Sequence, residues 1–419
     1  MKKIIAVVMS LAMLLTMMTL PALAEGKTVL TVAAWDTTNT PYLTTQEEAF
    51  ESANPDIDLQ YVDVASQEYN TKTSTMLAGG DTTDVLHVKE LSDLQNWIAQ
   101  GYVESLDSYI AADSFDLTGM TGLETYYMGN GEHYGIPYRA DFWVLFYNKN
   151  LFDAAGVAYP TSDMTWDAYA ELARKMTSGE GDTKVYGTHY HTWLSAVANW
   201  AVCGTDYTLA DGTYDNLAYF YNLVLGLEDD GACMEYNELK AAGLHYSGAF
   251  EAGNIAMIPM GYWFVSTMIA AKQQGLCDFD WGFVAIPHAE GVAAGSSFGS
   301  PTATCMNKNA ANKDAAWKYI SWLGSEEGAK VTAASGTRPA VVTDAVAEIM
   351  ASAEGFPQDD ASKAALSPAS IALEWPVGEK VSEIKTVVNE EHTAIMSRDV
   401  TVDEGIANMN ERVAEIKAQ

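Results

Sequence analysis

A strand pattern, a helix pattern and a second strand pattern follow one another within residues 29–61, and they restrict the fold. Residues 29–35 are an apolar run of the length of a buried strand. Thr44 and Thr45, each with a glutamate three residues on, predict the start of a helix that must end before Pro55. Residues 57–61 then alternate between apolar and polar. This order predicts a βαβ unit with parallel strands, and therefore an α/β protein.

The same alternation continues along the chain without an internal repeat or a low-complexity linker. Later elements are marked by glycine stops, by capping threonines and by short apolar runs. They are a helix ending at Gly79-Gly80, a strand at 84–88, a strand from Gly135 through Tyr147, a helix capped by Thr165, a strand at 255–260 and a last helix opened by a capping box at 401–404.

The N-terminus has the layout of a secretory signal peptide. Lys2 and Lys3 precede an apolar run at 4–18, and Ala22-Leu-Ala24 forms a small-x-small cleavage site. We expect residues 1–24 to be removed, and a retained membrane anchor is the alternative. No cysteine lies near the cleavage site, so we expect no lipid anchor on an N-terminal Cys. The sequence predicts export to the periplasm or to the extracellular side of the cell surface, without membrane insertion after cleavage.

Length and charge limit the classes of function. A chain of 419 residues exceeds one compact core and predicts two domains. The formal charge of −33 disfavours nucleic acid, anionic lipid and anionic ligands, so a neutral ligand is expected. Eleven Trp and 22 Tyr supply flat faces suited to sugar rings, although most aromatic side chains of a globular protein are core.

The four cysteines lack the spacing of a zinc or redox site. In an oxidising compartment, Cys203–Cys233 and Cys277–Cys305 are candidate disulfides. Four free buried thiols are an equal alternative, because spacing does not fix connectivity.

Two short motifs suggest catalysis or metal binding, and both are set aside. Gly-Ser-Ser-Phe-Gly at 295–299 matches a serine-hydrolase pattern, but Ser297 lies in a Gly- and Ala-rich loop before an extended segment, not on a strand-to-helix elbow. His189 and His191 have no nearby ligands to complete a metal site. We therefore expect no catalytic residue, no metal and no cofactor.

A further set of motifs occurs in one order over nearly the whole chain. In chain order they are Tyr69, Met-Leu-Ala-Gly-Gly at 76–80, Asp84-Val85, Tyr-Gly-Ile-Pro-Tyr at 134–138, Asp141, Leu-Phe-Tyr-Asn-Lys-Asn-Leu-Phe at 145–152, Ala-Gly-Val at 155–157, Thr-Trp-Asp at 165–167, Phe-Glu-Ala-Gly-Asn-Ile-Ala-Met at 250–257, Gly-Tyr-Trp at 261–263, Asp-Trp-Gly at 280–282, Ile286-Pro287, Asp-Ala-Ala-Trp at 314–317 and Gly-Thr-Arg-Pro at 336–339. The ordered set resembles bacterial extracellular solute-binding proteins of the sugar class, family 1, which are similar to maltodextrin-binding proteins and are the receptors of carbohydrate ABC importers.

The resemblance implies a type II periplasmic-binding-protein fold, with two discontinuous α/β lobes joined by hinge strands. It places the N-terminal lobe at 25–139 plus 300–339 and the C-terminal lobe at 140–299 plus 340–419. The crossings are expected near 139–141, 299–301 and 338–340. Such lobes close over a ligand about their hinge.

Candidate ligand-binding residues follow from where strands end, because ligands bind beyond the carboxyl ends of strands in open parallel sheets. Trp35 and Asp36 follow the first strand, and Tyr262 and Trp263 follow the strand at 255–260. Trp263 is the first choice for a stacking platform. Packing of Trp263 in the core is the alternative.

Two further groups complete the predicted site. Asp141 is a candidate acceptor for sugar hydroxyls and Arg139 a candidate partner, with a hinge ion pair as the alternative for both. The remaining candidates rest on loose alignment with the family or on position, and they are Trp193, Trp200, Trp375 and Arg338.

The sequence thus predicts a monomeric receptor that delivers a neutral sugar or oligosaccharide to ABC importer permease subunits with their ATPase. It is not expected to be an enzyme. The alternatives are a receptor of the same fold for a non-sugar solute, a ligand sensor for a membrane receptor, and a secreted polysaccharide-active enzyme.

Overall fold

A computed structural model of the chain describes residues 26–126 and 131–419. The predicted signal peptide, residues 1–24, lies outside these residues. The strands are β1 Thr28–Trp35, β2 Ile57–Val64, β3 Val85–Val88, β4 Ile136–Ala140, β5 Trp143–Asn148, β6 Met257–Gly261, β7 Trp281–Ala285, β8 Ser296–Gly299, β9 Pro301–Met306 and β10 Ser370–Leu373.

Helices occur between these strands in both halves of the sequence. They are α1 Pro41–Ala53, α2 Tyr69–Ala78, α3 Leu91–Ala99, α4 Asp107–Asp113, α5 Lys149–Ala155, α6 Trp166–Met176, α7 Leu217–Asp229, α8 Tyr236–Ala242, α9 Tyr246–Glu251, α10 Phe264–Gln273, α11 Lys313–Leu323, α12 Glu326–Ala334, α13 Asp344–Ser352, α14 Asp360–Ala364, α15 Val381–Met396 and α16 Val402–Ala418.

A five-stranded sheet in the order β2-β1-β3-β9-β4 forms the centre of the N-terminal lobe, called the N-lobe below. Strands β1 and β2 pair in parallel from Thr28 opposite Ile57 to Trp35 opposite Val64, which confirms the predicted βαβ unit. The helix between them begins at Pro41, ahead of the predicted Thr44 or Thr45. Proline suits the first turn of a helix because it needs no N–H partner there.

A three-stranded sheet in the order β6-β5-β7 forms the centre of the C-lobe, and β8 and β10 make a separate parallel pair. Helices α1 to α4 and α11 pack with the N-lobe sheet, and most of the remaining helices pack in one large core around β5 to β7. Helix α12 contacts both lobes: Ala329 and Ala333 join the C-lobe core, while Thr332 accepts a hydrogen bond from Gln46 of α1.

The strand predicted from Gly135 through Tyr147 is two strands in two sheets. Strand β4 pairs with β9 in the N-lobe, and β5 pairs with β6 and β7 in the C-lobe, so the chain crosses between lobes at residues 141–142. The prediction of a single continuous strand was therefore wrong, because its two halves pair with strands of different sheets. The chain also passes from β8 to β9 at Ser300.

A third segment runs beside these two. Pro339 bridges to Arg139, and the amide of Ala340 donates to the carbonyl of Tyr138 at 2.9 Å. A Cβ atom added at Gly299 would overlap the carbonyl of Asp141, so only glycine allows these segments to approach so closely.

Two findings complete the fold. All four cysteines are buried and free, which decides between the two alternatives for them. None of the helices within the described ranges combines the length and apolar composition that a transmembrane segment requires.

Candidate functional site

A cleft of about 570 Å³ lies between the two lobes, beside the crossing segments. One wall comes from the ends of β1 and β3 and the segments that follow them. The other wall comes from the C-lobe, from the loop after β6 and from the segments before α9 and α15. The crossing residues Arg139 and Asp141 form its floor.

Three aromatic side chains form a corner on the C-lobe wall, which we call the aromatic corner: Trp193, Tyr246 and Trp263. The Trp263 indole Nε1 donates to the Tyr246 hydroxyl at 3.1 Å. The Trp193 ring lies 5.5 Å from the ring of Tyr246 and 6.4 Å from that of Trp263. Trp263 is half-buried, so part of its face remains open to the cleft.

Trp35 and Asp36 lie on the opposite wall, where β1 ends. The Arg139 guanidinium lies 5.7 Å from the centre of the Trp35 ring and 5.2 Å from that of Tyr42. Asp36 has a left-handed backbone conformation with φ of 47°, which is uncommon outside glycine and turns its side chain so that Oδ1 accepts from the Ser66 amide at 2.9 Å.

Arg139 and Asp141 are buried together on the floor. Arg139 Nε lies 3.2 Å from Asp141 Oδ2 and donates a hydrogen bond to Thr302 Oγ1 at 3.1 Å. Burial raises the pKa of Asp141, and the charges of Arg139 and Arg338 act against this rise. Within the described part of the chain, no donor makes a hydrogen bond to either carboxylate oxygen of Asp141. Buried acceptors are normally satisfied, so a ligand that carries hydroxyl groups fits this position.

Glu374 is a half-buried cleft residue that sequence reasoning missed. Its Oε1 accepts a hydrogen bond from the Trp143 indole at 2.9 Å. Burial first, and then the charge of Glu90, raise the pKa of Glu374 to about 7, although the Trp143 hydrogen bond acts in the other direction. The only local signal was an acidic residue directly before Trp375. Tyr42, Lys89 and Tyr246 also line the cleft without having been predicted.

The structure brings most of the predicted site residues together. Those that line the cleft are Trp35, Asp36, Arg139, Asp141, Trp193, Trp263 and Trp375.

Three predicted residues lie elsewhere. Tyr262 is fully buried and its ring stacks on Phe142 at 5.4 Å, because it points away from the cleft where its neighbour Trp263 points toward it. Trp200 stacks on Trp166 at 3.8 Å in the C-lobe core. Arg338 lies at the third crossing, where its Nη1 donates to the Ala140 carbonyl at 3.0 Å.

The serine-hydrolase-like motif and the histidine pair both lie in buried parts of the fold. Ser297 Oγ accepts from the Trp143 amide at 3.0 Å and donates to the Trp143 carbonyl at 2.7 Å, so it fastens β8 to β5. Burial lowers the pKa of His189 to about 4. Burial, with the neighbouring histidines, lowers that of His191 to about 3. Across residues 26–126 and 131–419, no group of three or more His, Cys, Asp or Glu side chains is arranged to hold a metal ion.

Comparisons with known proteins agree with this architecture. The family model described as bacterial extracellular solute-binding protein matches residues 34–330. The chain is 39% identical to a sugar transporter from Rhizobium etli, solved in an open conformation, over 92% of this chain and 99% of that one, with a TM-score of 0.75.

More distant relatives share the fold or the sequence pattern. An ABC substrate-binding protein from Listeria monocytogenes in complex with cycloalternan is 23% identical over 94% of this chain and 99% of that one, with a TM-score of 0.78. The lactose-binding protein of Rhizobium radiobacter is 24% identical over 313 residues, which are 71% of this chain and 70% of the relative. Because the family model spans well over half of its length, this chain belongs to the bacterial extracellular solute-binding proteins.

Proposed function

We propose that the protein is a carbohydrate receptor that binds a neutral sugar or oligosaccharide in the cleft between its lobes. The observation that carries this proposal is that one cleft holds both the aromatic corner and the buried carboxylate of Asp141, to which no described residue donates a hydrogen bond. A sugar ring has an apolar face that suits an indole and edge hydroxyls that suit Asp141. Pockets with aromatic walls and a few placed polar groups are typical small-molecule sites.

The charges that line the cleft suit a ligand without net charge. Lys89, Arg139, Lys240 and Lys385 line it together with the four carboxylates of Asp36, Glu90, Asp141 and Glu374. The overall charge of −33 adds long-range repulsion of anions. Both observations favour a ligand that is bound through hydroxyl groups.

The family and the fold support the following cellular role. The protein is exported by its signal peptide, captures its ligand outside the cytoplasm and presents it to the permease subunits of an ABC importer, which an ATPase powers. Closure of the lobes rotates residues 25–139 plus 300–339 against residues 140–299 plus 340–419 about the three crossings. The protein acts by binding and not by catalysis, as a monomer, and Ser297 serves as a structural link between β8 and β5.

A thermal unfolding screen of the mature protein tests the proposal, because a compound that binds only the native state raises the melting temperature. The panel contains neutral mono- to tetrasaccharides and polyols, with amino acids and polyamines as the competing classes. We expect a rise with saccharides alone. A rise with an amino acid or a polyamine and none with any saccharide would favour a receptor for a non-sugar solute. Importer permease genes beside this gene would favour transport over a role as a sensor.

A further inference from the structure

A second cavity of about 430 Å³ adjoins the cleft. It lies between helices α2 and α3 of the N-lobe and helix α15 of the C-lobe, and we call it the polar groove. The groove and the cleft share Asn70, Lys385, Asn389 and Thr393 among their lining residues. The two cavities therefore adjoin each other alongside α15.

The lining of the groove differs in chemistry from that of the cleft. Among the described residues, every side chain that lines the groove is polar or charged, whereas tryptophans line the cleft from both lobes. Hydroxyl and amide groups donate and accept hydrogen bonds, ionised carboxylates accept them and the lysine ammonium donates them. This lining suits a polyhydroxylated ligand and gives an apolar one no favourable contact. The groove can bind a sugar unit by its edges but cannot stack on its face.

Asp93 gives the groove an unsatisfied acceptor. No hydrogen bond from the described residues reaches its Oδ2, which is shielded from solvent. Burial and then the charge of Glu90 raise the pKa of Asp93 to about 7, while Lys385 and Lys89 act in the opposite direction. A buried polar atom without a partner is costly, and a ligand hydroxyl group would remove that cost.

An ion pair marks the junction of the two cavities. Lys385 of α15 pairs with Glu90, which directly precedes α3. Lys385 lines both cavities, whereas Glu90 lines only the cleft and Asp93 only the groove. The contact joins the two lobes at the point where an extended ligand would pass from one cavity to the other.

We infer that the polar groove is a second subsite for the ligand of the cleft, holding by its hydroxyls a sugar unit beyond those that stack on the aromatic corner. The inference rests on the proposed function and narrows it: the preferred ligand is an oligosaccharide and not a monosaccharide.

The test measures how affinity depends on saccharide length in the wild-type protein and in a variant whose groove is filled. Thr386 lines the groove and is exposed on α15, so Thr386→Trp blocks the groove without disturbing the core. Glu383→Trp is the matched control, because Glu383 is exposed on the same helix and lines neither cavity. Asp93→Ala is a second variant that removes the acceptor itself. Affinities are measured by calorimetry with the mono-, di-, tri- and tetrasaccharides of the α-glucan and β-mannan series.

We expect wild-type affinity to rise at least tenfold from the shortest saccharide that binds to the longer ones. Thr386→Trp and Asp93→Ala should remove most of that rise and change the affinity for the shortest ligand by less than twofold, while Glu383→Trp should leave the series unchanged. Equal wild-type affinity at every length, or an equal loss at every length in the two groove variants, would overturn the subsite and leave the proposed function standing. A wild-type protein that binds none of the saccharides but binds an amino acid or a polyamine in the same assay would instead overturn the proposed function, and the subsite with it.

Discussion

The indole ring of Trp263 folds back over Gly261, so closely that a Cβ atom at position 261 would overlap the ring. Gly261 is the last residue of β6, and Trp263 directly precedes α10. The absence of a side chain at Gly261 therefore lets the indole lie along the end of the strand, where its Nε1 reaches Tyr246. This placement turns the indole toward the cleft.

Replacing Trp263 by alanine should weaken carbohydrate binding at least a hundredfold, because the ring that we assign to sugar stacking is removed. Trp263 is only half-buried, so the ligand-free protein should lose about 1 to 2 kcal/mol of unfolding free energy, less than the 3 to 5 kcal/mol of a fully buried tryptophan. Titration calorimetry measures the first effect and urea denaturation the second.

Trp200→Phe is the control for this variant, since Trp200 packs on Trp166 in the C-lobe core. It should lower stability and leave the affinity of the folded protein within twofold of wild type. A large stability loss in Trp263→Ala with unchanged affinity would mean that Trp263 is a core residue.

Asp141→Asn should raise the dissociation constant for the saccharide by tenfold to a hundredfold. The carboxylate would accept charge-assisted hydrogen bonds from sugar hydroxyls, and such bonds contribute about 1.5 to 3 kcal/mol each. Asp116→Asn is the control for the same change of side chain away from the cleft, because Asp116 is exposed and accepts a hydrogen bond from the nearby Thr118 amide. Titration of both variants with one saccharide decides the matter, and equal affinities would remove Asp141 from the site.

Glu374 should make stability depend on pH in a defined direction. Its folded pKa of about 7 exceeds the ordinary value of 4.5, so between these values the native state keeps a proton that the unfolded chain has lost. The contribution of Glu374 to stability therefore falls as pH rises from about 4.5 to 7. Glu374→Gln keeps an oxygen for the Trp143 indole and does not titrate.

As pH rises from 5 to 8, the unfolding free energy of Glu374→Gln should increase relative to that of wild type, by on the order of 3 kcal/mol at most. Urea unfolding of both proteins at pH 5 and pH 8 measures this gain, and taking the difference cancels the titrating groups that do not interact with Glu374. A difference that stays constant with pH would place the pKa of Glu374 near its ordinary value.

Local sequence signals predicted the elements that depend on neighbouring residues. The capping box of Thr401 and Glu404 is confirmed by both of its hydrogen bonds, and Thr165 caps α6 as expected. These features need only residues three positions apart. The parallel pairing of β1 and β2 was predictable for a similar reason, since a short βαβ unit allows little else.

Apart from the start of α1, which was misplaced by a few residues, the misses depend on distant partners. The division of one extended segment into β4 and β5 is set by pairing with β9 and β6, far along the chain. Which of two adjacent aromatics faces the cleft depends on Phe142 stacking on Tyr262. Glu374 reaches the cleft because its neighbours pair with β8, a contact that no local pattern indicates.

The central claim is that the cleft binds a neutral carbohydrate, and titration calorimetry of the mature wild-type protein tests it most directly. The titrants are neutral saccharides of one to four units, with an amino acid and a polyamine as the competing classes. We predict saturable 1:1 heats for at least one saccharide series and none for the amino acid or the polyamine. No heat with any saccharide, together with saturable binding of the amino acid or the polyamine, would contradict the claim.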